Sequence, residues 1–327
     1  MHDKVQALIG AASVIPETTK EAGNMSTKVQ ISVVIPAYNS AAFIAKTLES
    51  VLAQTLQPAE VIVVDDGSTD ETLKIVQGFG DTVRCISQRN MGVSAARNAG
   101  IESARYEWIA LLDSDDLWRA DKLERQAGVI LEDPAVDFIY TGHYCFFEDR
   151  IESTVPAQPA SRIKQSMYHV RFMTSSVVLR RSKAIEIGGF DTTLRSSEDW
   201  DLWLRLVKDG ARFAAIDEPL TSYRKSPSGL THQPVGLFEC QRVVIRRHIA
   251  SDASAISRWW THTRLISRLE GEAAIVMRDT GSKDHLTYML RSLCRFPFLL
   301  SAADKRHKIA LHMLLTKLGI LRAHAGH

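Results

Sequence analysis

The densest group of chemistry-bearing residues in this chain is Asp113-Ser114-Asp115-Asp116, two carboxylates one residue apart directly after the apolar run Trp108 to Leu112. Hard divalent cations such as Mg²⁺ and Mn²⁺ take oxygen ligands, and Mg²⁺ is commonly held by one or two carboxylates completed by substrate phosphates. Asp113 and Asp115 therefore suit a cation that bridges a diphosphate. The competing reading of an isolated D-x-D is a cap on the following helix, so the elements around it decide between the two.

Those elements repeat a simple alternation. Ile31 to Pro36 (ISVVIP) is a short β-branched run of the kind a strand buried on both faces needs. Ser40 can cap a helix whose apolar positions Phe43, Ile44, Leu48, Val51 and Leu52 recur at helical spacing. Val61 to Val64 reads as a second buried strand ending in Asp65 and Asp66, and Ser68 with Glu71 has the form of a capping box for a helix through Leu73, Val76 and Phe79. A third helix is expected over Val93 to Ala104, a third strand over Trp108 to Leu112, then a helix from Leu117 to Leu131 and a strand near Phe138 to Tyr140. Residues 148–165 read as a loop, and Ser175 to Leu179 as a strand. Ser196 and Asp199 make an S-x-x-D capping pair for a helix carrying Trp200, Trp203 and Val207 and stopped by Gly210. In open α/β sheets ligands bind beyond the carboxyl ends of the strands, which would bring Tyr38, Asp65, Asp66, Asp113 and Asp115 together.

The composition is that of an ordinary globular protein: 45% hydrophobic and 24% charged residues with mean hydropathy −0.09. Cys85, Cys145, Cys240 and Cys294 form no C-x-x-C pair, so a reducing cytosol is the expected compartment. Residues 236–327 hold 15 Lys and Arg against 7 Asp and Glu, whereas the rest of the chain is acidic, so the chemistry is expected in the acidic part and an anionic surface opposite the basic one. No stretch reaches the roughly 18 apolar residues of a spanning helix. Residues 1–27 are read as a loosely ordered extension, with Met25 an alternative start.

Five segments agree in order and spacing: VVIPAYN (33–39), VVDDGSTDET (63–72), NMGVSAARNAG (90–100), LLDSDDLW (111–118), and GGFD with SEDWDLWLRL (188–206). Together they closely resemble the family 2 glycosyltransferases, over about residues 30–225. The resemblance implies a GT-A (Rossmann-like) α/β fold with a mixed, mainly parallel sheet flanked by helices, in a domain of residues 28–235, followed by a helical C-terminal region, 236–327. It implies an inverting enzyme that moves a sugar from a nucleotide-diphosphate sugar, with a UDP-sugar the expected donor, to a glycan or lipid-linked acceptor, using Mn²⁺ or Mg²⁺. Carried onto this chain, Pro36, Ala37 and Tyr38 frame the nucleobase, and Asp65 and Asp66 hold uracil or ribose. Arg97 and Ser114 lie by the nucleotide, Asp113 contacts ribose or metal, and Asp115 is the principal metal ligand. Asp199 is the general base, with Glu198 and Trp200 shaping the acceptor site. Where the family often has a histidine after a Tyr-Arg pair, Lys225 and Ser226 follow Tyr223 and Arg224, and His232 is a weak substitute.

These roles make chemical sense. A hydroxyl is a poor nucleophile at neutral pH, and a positioned carboxylate that takes its proton contributes about 10² to 10⁴ in rate. A cation on Asp115 would offset charge on the leaving diphosphate. A dinucleotide-binding turn is excluded because no glycine lies between Ile31 and Asp66, and a phosphate-binding P-loop because the chain has no Gly-Lys pair. Nucleic-acid binding lacks any signature beyond the basic tail. A non-catalytic carbohydrate-binding relative is the remaining alternative, and it would be expected to have lost Asp115 or Asp199. The expected setting is bacterial polysaccharide or glycolipid assembly in the cytoplasm or at the inner membrane face. There the last helix, with Leu311, Leu314, Leu315 and Leu318 flanked by Lys305, Arg306, Lys308, Lys317 and Arg322, could lie on an anionic membrane; the favoured alternative is an ordinary amphipathic helix packed on the catalytic domain.

Overall fold

The computed structural model describes residues 29–147, 150–168, 172–225, 234–249, 255–298 and 304–317, without the side chains of 255–257. It divides into two compact units, one running to Ser226 and the other beginning at Pro227 and also taking in Leu194–Ser197.

In the first unit the order is β1 (Ile31–Ala37), α1 (Ile44–Leu52), β2 (Glu60–Asp65), α2 (Thr72–Gln77), β3 (Arg84–Ser87), α3 (Val93–Ser103), β4 (Trp108–Leu111), β5 (Leu117–Trp118) and α4 (Lys122–Glu132). Next come β6 (Phe138–Phe147), β7 (Arg150–Val155), α5 (Ile163–Ser166), β8 (Val178–Arg180), α6 (Arg181–Glu186), α7 (Glu198–Lys208) and β9 (Phe213–Arg224). One sheet takes the order β3-β2-β1-β4-β8-β6-β9-β5, with β7 added on β6. β3, β2, β1 and β4 run parallel, β8 is antiparallel to β4 and β6, and β9 is parallel to β6. The β-branched strands β1 and β2 are buried on both faces, which is why their sequences do not alternate. One face packs under α3 and α7 through Val34, Ile62, Ile101, Leu202 and Trp203; the other under α1 and α4 through Ile35, Leu48, Val63 and Leu123. Helix α3 lies so close to β1 that a Cβ on Gly100 would fall 2.3 Å from Val34 Cγ1, so only glycine fits there.

Several local expectations give way to tertiary pairing. Leu117 and Trp118 are a strand, because their backbone pairs antiparallel with Thr221 and Ser222, and the helix begins only at Lys122. Arg150–Val155 is not loop but the outer strand of a hairpin with β6; it is wholly exposed, so it carries no buried pattern. Thr174–Ser176 is a 3-10 turn, and the strand starts at Val178. Ser68 and Glu71 do not form a capping box: Ser68 Oγ accepts Asn39 N–H, and Asp70 takes the Thr72 N–H instead. Ser40 spends its hydroxyl on Tyr38 O and Ser114 Oγ, and Ser196 Oγ has no hydrogen-bond partner among the described residues, so neither side chain caps a helix.

The second unit is helical: α8 (Pro234–Ile249), α9 (Ala255–Asp279), α10 (His285–Arg295) and α11 (Arg306–Lys317). Ala274, Leu286, Met289, Ala310 and Met313 form its core, so α11 packs on α9 and α10. Residues 1–27, Leu318, Arg322 and His232 lie outside the described residues.

Candidate functional site

The strand ends β1, β2 and β4 deliver Tyr38, Asp66 and Asp113 to one edge of the sheet, because parallel pairing aligns their carboxyl ends: Ala37 is level with Asp65, and Val34 with Leu111. Of the first group, Pro36 and Ala37 are buried within β1, and Tyr38 is 49% exposed. Asn39, which follows, has φ 48°, a left-handed conformation uncommon outside glycine and concentrated at functional turns. Its Oδ1 accepts Thr69 N–H at 2.8 Å, tying the β1 turn to the β2 turn.

Asp65 and Asp66 are both buried, but they are not equivalent. Asp65 Oδ1 accepts only a long bond from Ser68 N–H, 3.3 Å. Asp66 accepts from Gln88 Nε2 at 2.7 Å, Met91 N–H at 2.9 Å and Gly92 N–H at 2.8 Å, and so pins the loop that opens α3. Its carboxylate is a loop clamp whatever else it contacts.

The Asp113–Asp116 loop is held from several directions. Asp113 N–H donates to Ser175 Oγ at 3.0 Å, and Ser175 Oγ–H donates to Asp116 Oδ2 at 2.5 Å. The second oxygen of Asp116 accepts the Arg224 backbone N–H at 2.9 Å, while Arg224 Nε donates to Asp115 O at 2.9 Å. Arg224 itself is sandwiched, its guanidinium carbon 4.8 Å from the Phe43 ring centroid and 4.5 Å from that of Phe146. Ser114 Oγ meets Ser40 Oγ at 2.7 Å, and Thr47 Oγ1 donates to Ser114 O and Asp116 O. Asp116, the acid with the best claim to be merely structural, is fully buried, whereas Asp113 and Asp115 are half-buried.

Burial, and then repulsion from Asp113, pushes the Asp115 carboxyl up to about 6. Two carboxylates forced together in this way are stabilised by a cation between them. Among the described residues no three His, Cys, Asp or Glu side chains form a cation cage, so a divalent ion on Asp113 and Asp115 would need further oxygens from a substrate. The donor set fits Mg²⁺ or Mn²⁺ on those terms.

Arg97, at 4% exposure, connects this loop to α7: Nη2 donates to Asp113 Oδ1 and Nη1 to Glu198 Oε1, both at 2.6 Å. Burial works against its charge, but Asp113 and Glu198 more than offset this and raise its pKa. Its Nε is buried without a partner. Asp199, beside Glu198, is half-buried; Trp200 N–H donates to its Oδ1 at 2.6 Å and Thr174 Oγ1 lies 3.5 Å from Oδ2. Burial and then the neighbouring Glu198 push its carboxyl up to about 7, with Arg97 pulling the other way. Ser197, just before this pair, has φ 61°. Trp200 is 2% exposed with its indole N–H directed to Met167 O, so it backs the wall rather than surfacing it. Trp118 is core, 1% exposed, and its Nε1–H donates to Ser175 O at 2.7 Å.

Ser175, Arg224, Thr47 and Asn98 carry the site without having been assigned a role in it from sequence. Asn98 makes a two-way clamp on the 188–190 turn, donating to Phe190 O and accepting Phe190 N–H, each at 2.8 Å. Gly189 there has φ 64°, and a Cβ would sit 2.6 Å from Asn98 Oδ1. Asn98, inside NMGVSAARNAG, and Arg224, in the Tyr-Arg pair, had a motif signal; Ser175 and Arg224 act through contacts with residues 59 and 109 positions away.

A family model described as Glycosyl transferase family 2 matches residues 32–196. The chain is 31% identical over 203 residues to a putative teichuronic acid biosynthesis glycosyltransferase, TuaG, of Bacillus subtilis, covering 60% of this chain and 79% of that one. It is 28% identical over 188 residues to an uncharacterized glycosyltransferase of Rickettsia felis, but the match spans only 31% of that relative's length and 54% of this chain. Among solved structures, S. aureus TarS 1-349 in complex with UDP-GlcNAc superposes with TM-score 0.59 at 18% identity, covering 90% of this chain and 93% of that one. The mannosyltransferase PcManGT from Pyrobaculum calidifontis, in complex with GDP-Man and Mn²⁺, superposes with TM-score 0.57 at 15% identity over 98% of this chain and 93% of that one. At such identities the structures establish a shared fold.

Proposed function

Because the chain belongs to glycosyl transferase family 2, we propose that it transfers a sugar, with inversion, from a nucleotide-diphosphate sugar to an acceptor hydroxyl, with Asp199 as the general base. The observation that carries this reading is the buried Arg97, which joins Asp113 to Glu198 and so couples the acids suited to a diphosphate to the pair that contains the base. A base that must be free at neutral pH yet hold a proton well is served by a carboxyl near 7. Trp200 N–H fixes Oδ1 of Asp199, and Oδ2, met by Thr174 Oγ1 only at 3.5 Å, is the oxygen for the acceptor hydroxyl. Glu198, ion-paired with Arg97, raises the Asp199 carboxyl through its charge.

Asp113 and Asp115 would hold a divalent cation, which supplies charge neutralisation for the departing diphosphate. A neighbouring fold binds UDP-GlcNAc and another GDP-Man with Mn²⁺, which supports a nucleotide-sugar donor here, a UDP-sugar first among those to try. Tyr38, Asp65, Asp66, Arg97 and Ser114 stand in this reading as the nucleotide side, and Glu198 and Trp200 as the acceptor side. A glycan or lipid-linked acceptor belongs to this reading, and the name of the TuaG relative, teichuronic acid biosynthesis, supports the glycan. Among the described residues no helix is long and apolar enough to cross a membrane. Contact through α11 would use the exposed Leu311 and Leu314; Arg306, counted in sequence among its flanking cations, is instead buried.

The test is thermal shift with UDP-, GDP- and dTDP-sugars in Mn²⁺, Mg²⁺ or EDTA. Metal-dependent stabilisation by one donor, lost in Asp115→Ala and kept in Asp199→Asn, is the expected result; no response to any donor in any metal would favour a non-catalytic role.

A further inference from the structure

The helical unit exposes aromatic surface that its own core does not use. Trp259 is 63% exposed, Trp260 47% and Phe298 64%. They form one patch: the Trp259 and Trp260 rings lie 6.2 Å apart, Trp260 stands edge-on to Phe296 at 5.1 Å, and Phe298 is 6.5 Å from Trp260 and 5.6 Å from Phe296. The patch is built rather than frayed. Arg306, 5% exposed and ion-paired with buried Asp304, donates through Nη2 to Phe296 O at 3.2 Å and Phe298 O at 2.7 Å, fixing the segment that presents Phe298.

Cations gather beside the aromatics. On α9, His262 is one turn from Trp259, on the same face. Arg246 and Arg242 of α8 and Arg295 of α10 all add positive potential at His262. Arg242 and Arg295 are partly committed to Glu239 and Glu270, whereas Arg246 is exposed and holds no ion pair among the described residues. Residues 236–327 as a whole hold 15 basic against 7 acidic residues. Exposed tryptophan and phenylalanine with adjacent arginines have the two properties an anionic bilayer surface selects: amphipathic rings for the interface and positive charge for the headgroups. Tryptophan and arginine also recur at protein–protein interfaces, but the excess of 15 basic over 7 acidic residues across 236–327 matches an anionic headgroup layer.

We propose that Trp259, Trp260 and Phe298, with Arg246 and its neighbours, dock this unit on an anionic lipid bilayer. The inference rests on the lipid-linked acceptor of the proposed function, and lipid binding is measured without any sugar donor, so the two can fail separately.

The test uses the full chain with phosphatidylcholine vesicles, with or without about one third phosphatidylglycerol, by co-sedimentation and tryptophan emission. The other four tryptophans, Trp108, Trp118, Trp200 and Trp203, are at most 7% exposed, so a blue shift on binding reports Trp259 and Trp260. Expected are salt-sensitive binding to the anionic vesicles with a blue shift, a drop of about fivefold for Arg246→Gln, and loss of binding in Trp259→Ala/Trp260→Ala with far-UV circular dichroism unchanged. Equal binding to both vesicle types, or anionic binding unaltered by Arg246→Gln and by the double variant, would overturn it. So would retention on soluble polyglutamate with no vesicle binding, which would assign the surface to an anionic polymer.

Discussion

Arg97 and Glu198 lie 101 residues apart and meet through a 2.6 Å hydrogen bond inside the protein, with the other Nη of the same guanidinium on Asp113. A single buried cation thus serves two carboxylates, and each is orphaned if it is removed. Breaking such a buried set by deleting one member costs about 3 to 5 kcal/mol. Arg97→Gln is expected to be less stable by that order. Where it remains folded, its pH–rate profile should shift upward, because Arg97 holds the Asp199 carboxyl down against burial and Glu198. An unchanged profile in the folded variant would show that Arg97 supports structure alone.

Asp199 predicts two opposed pH dependences. As a base with its carboxyl near 7, it must be ionised to act, so kcat/KM should climb roughly tenfold per pH unit below about 7 and level off above. Asp199→Asn should lose about 10² to 10⁴ in rate and this limb with it.

Its stability effect has the other sign. The folded carboxyl lies above the ordinary 3.8, so the native state binds the proton more tightly, and stability is lost as pH rises from about 4 to about 7. The Tm advantage of Asp199→Asn over wild type should therefore widen across that window. A constant gap from pH 4 to 8 would show that Asp199 is not held protonated in the fold.

Ser175 should matter although it bears no charge. Its hydroxyl accepts from Asp113 N–H and donates to the fully buried Asp116, so Ser175→Ala leaves both groups short of a partner. A loss of about 1 to 3 kcal/mol is expected in denaturant unfolding. Together with it, the cation-dependent thermal shift should weaken, since the same hydroxyl sets the Asp113–Asp116 loop.

Arg224 tests whether the loop needs a planar cation. Lysine would keep the charge but lose the stack between Phe43 and Phe146 and the aim of Nε at Asp115 O. Arg224→Lys should weaken Mn²⁺ titration about tenfold, about 1.4 kcal/mol, with the fold intact. Wild-type titration would mean that the backbone N–H of residue 224 on Asp116 suffices.

What the sequence determined by itself was the buried strands at Ile31, Val61 and Trp108 with their helices and the acids that end those strands, while the edge strand Arg84–Ser87, not buried, carried no signal. A β-branched run reports burial on both faces locally, and the glycine-free stretch from Ile31 to Asp66 excluded a dinucleotide-binding turn without any coordinates. Tertiary structure decided what depended on pairing partners far along the chain. Leu117–Trp118 became strand because Thr221–Ser222 lies beside it, and Arg150–Val155 became strand on an exposed edge where no apolar pattern was required. The proton affinities of Asp115 and Asp199 likewise follow from burial and from neighbours such as Asp113, Glu198 and Arg97, brought together only by folding. Spacing can nominate an acid, but its charge state is set by the dielectric and the charges around it, and these are properties of the assembled site.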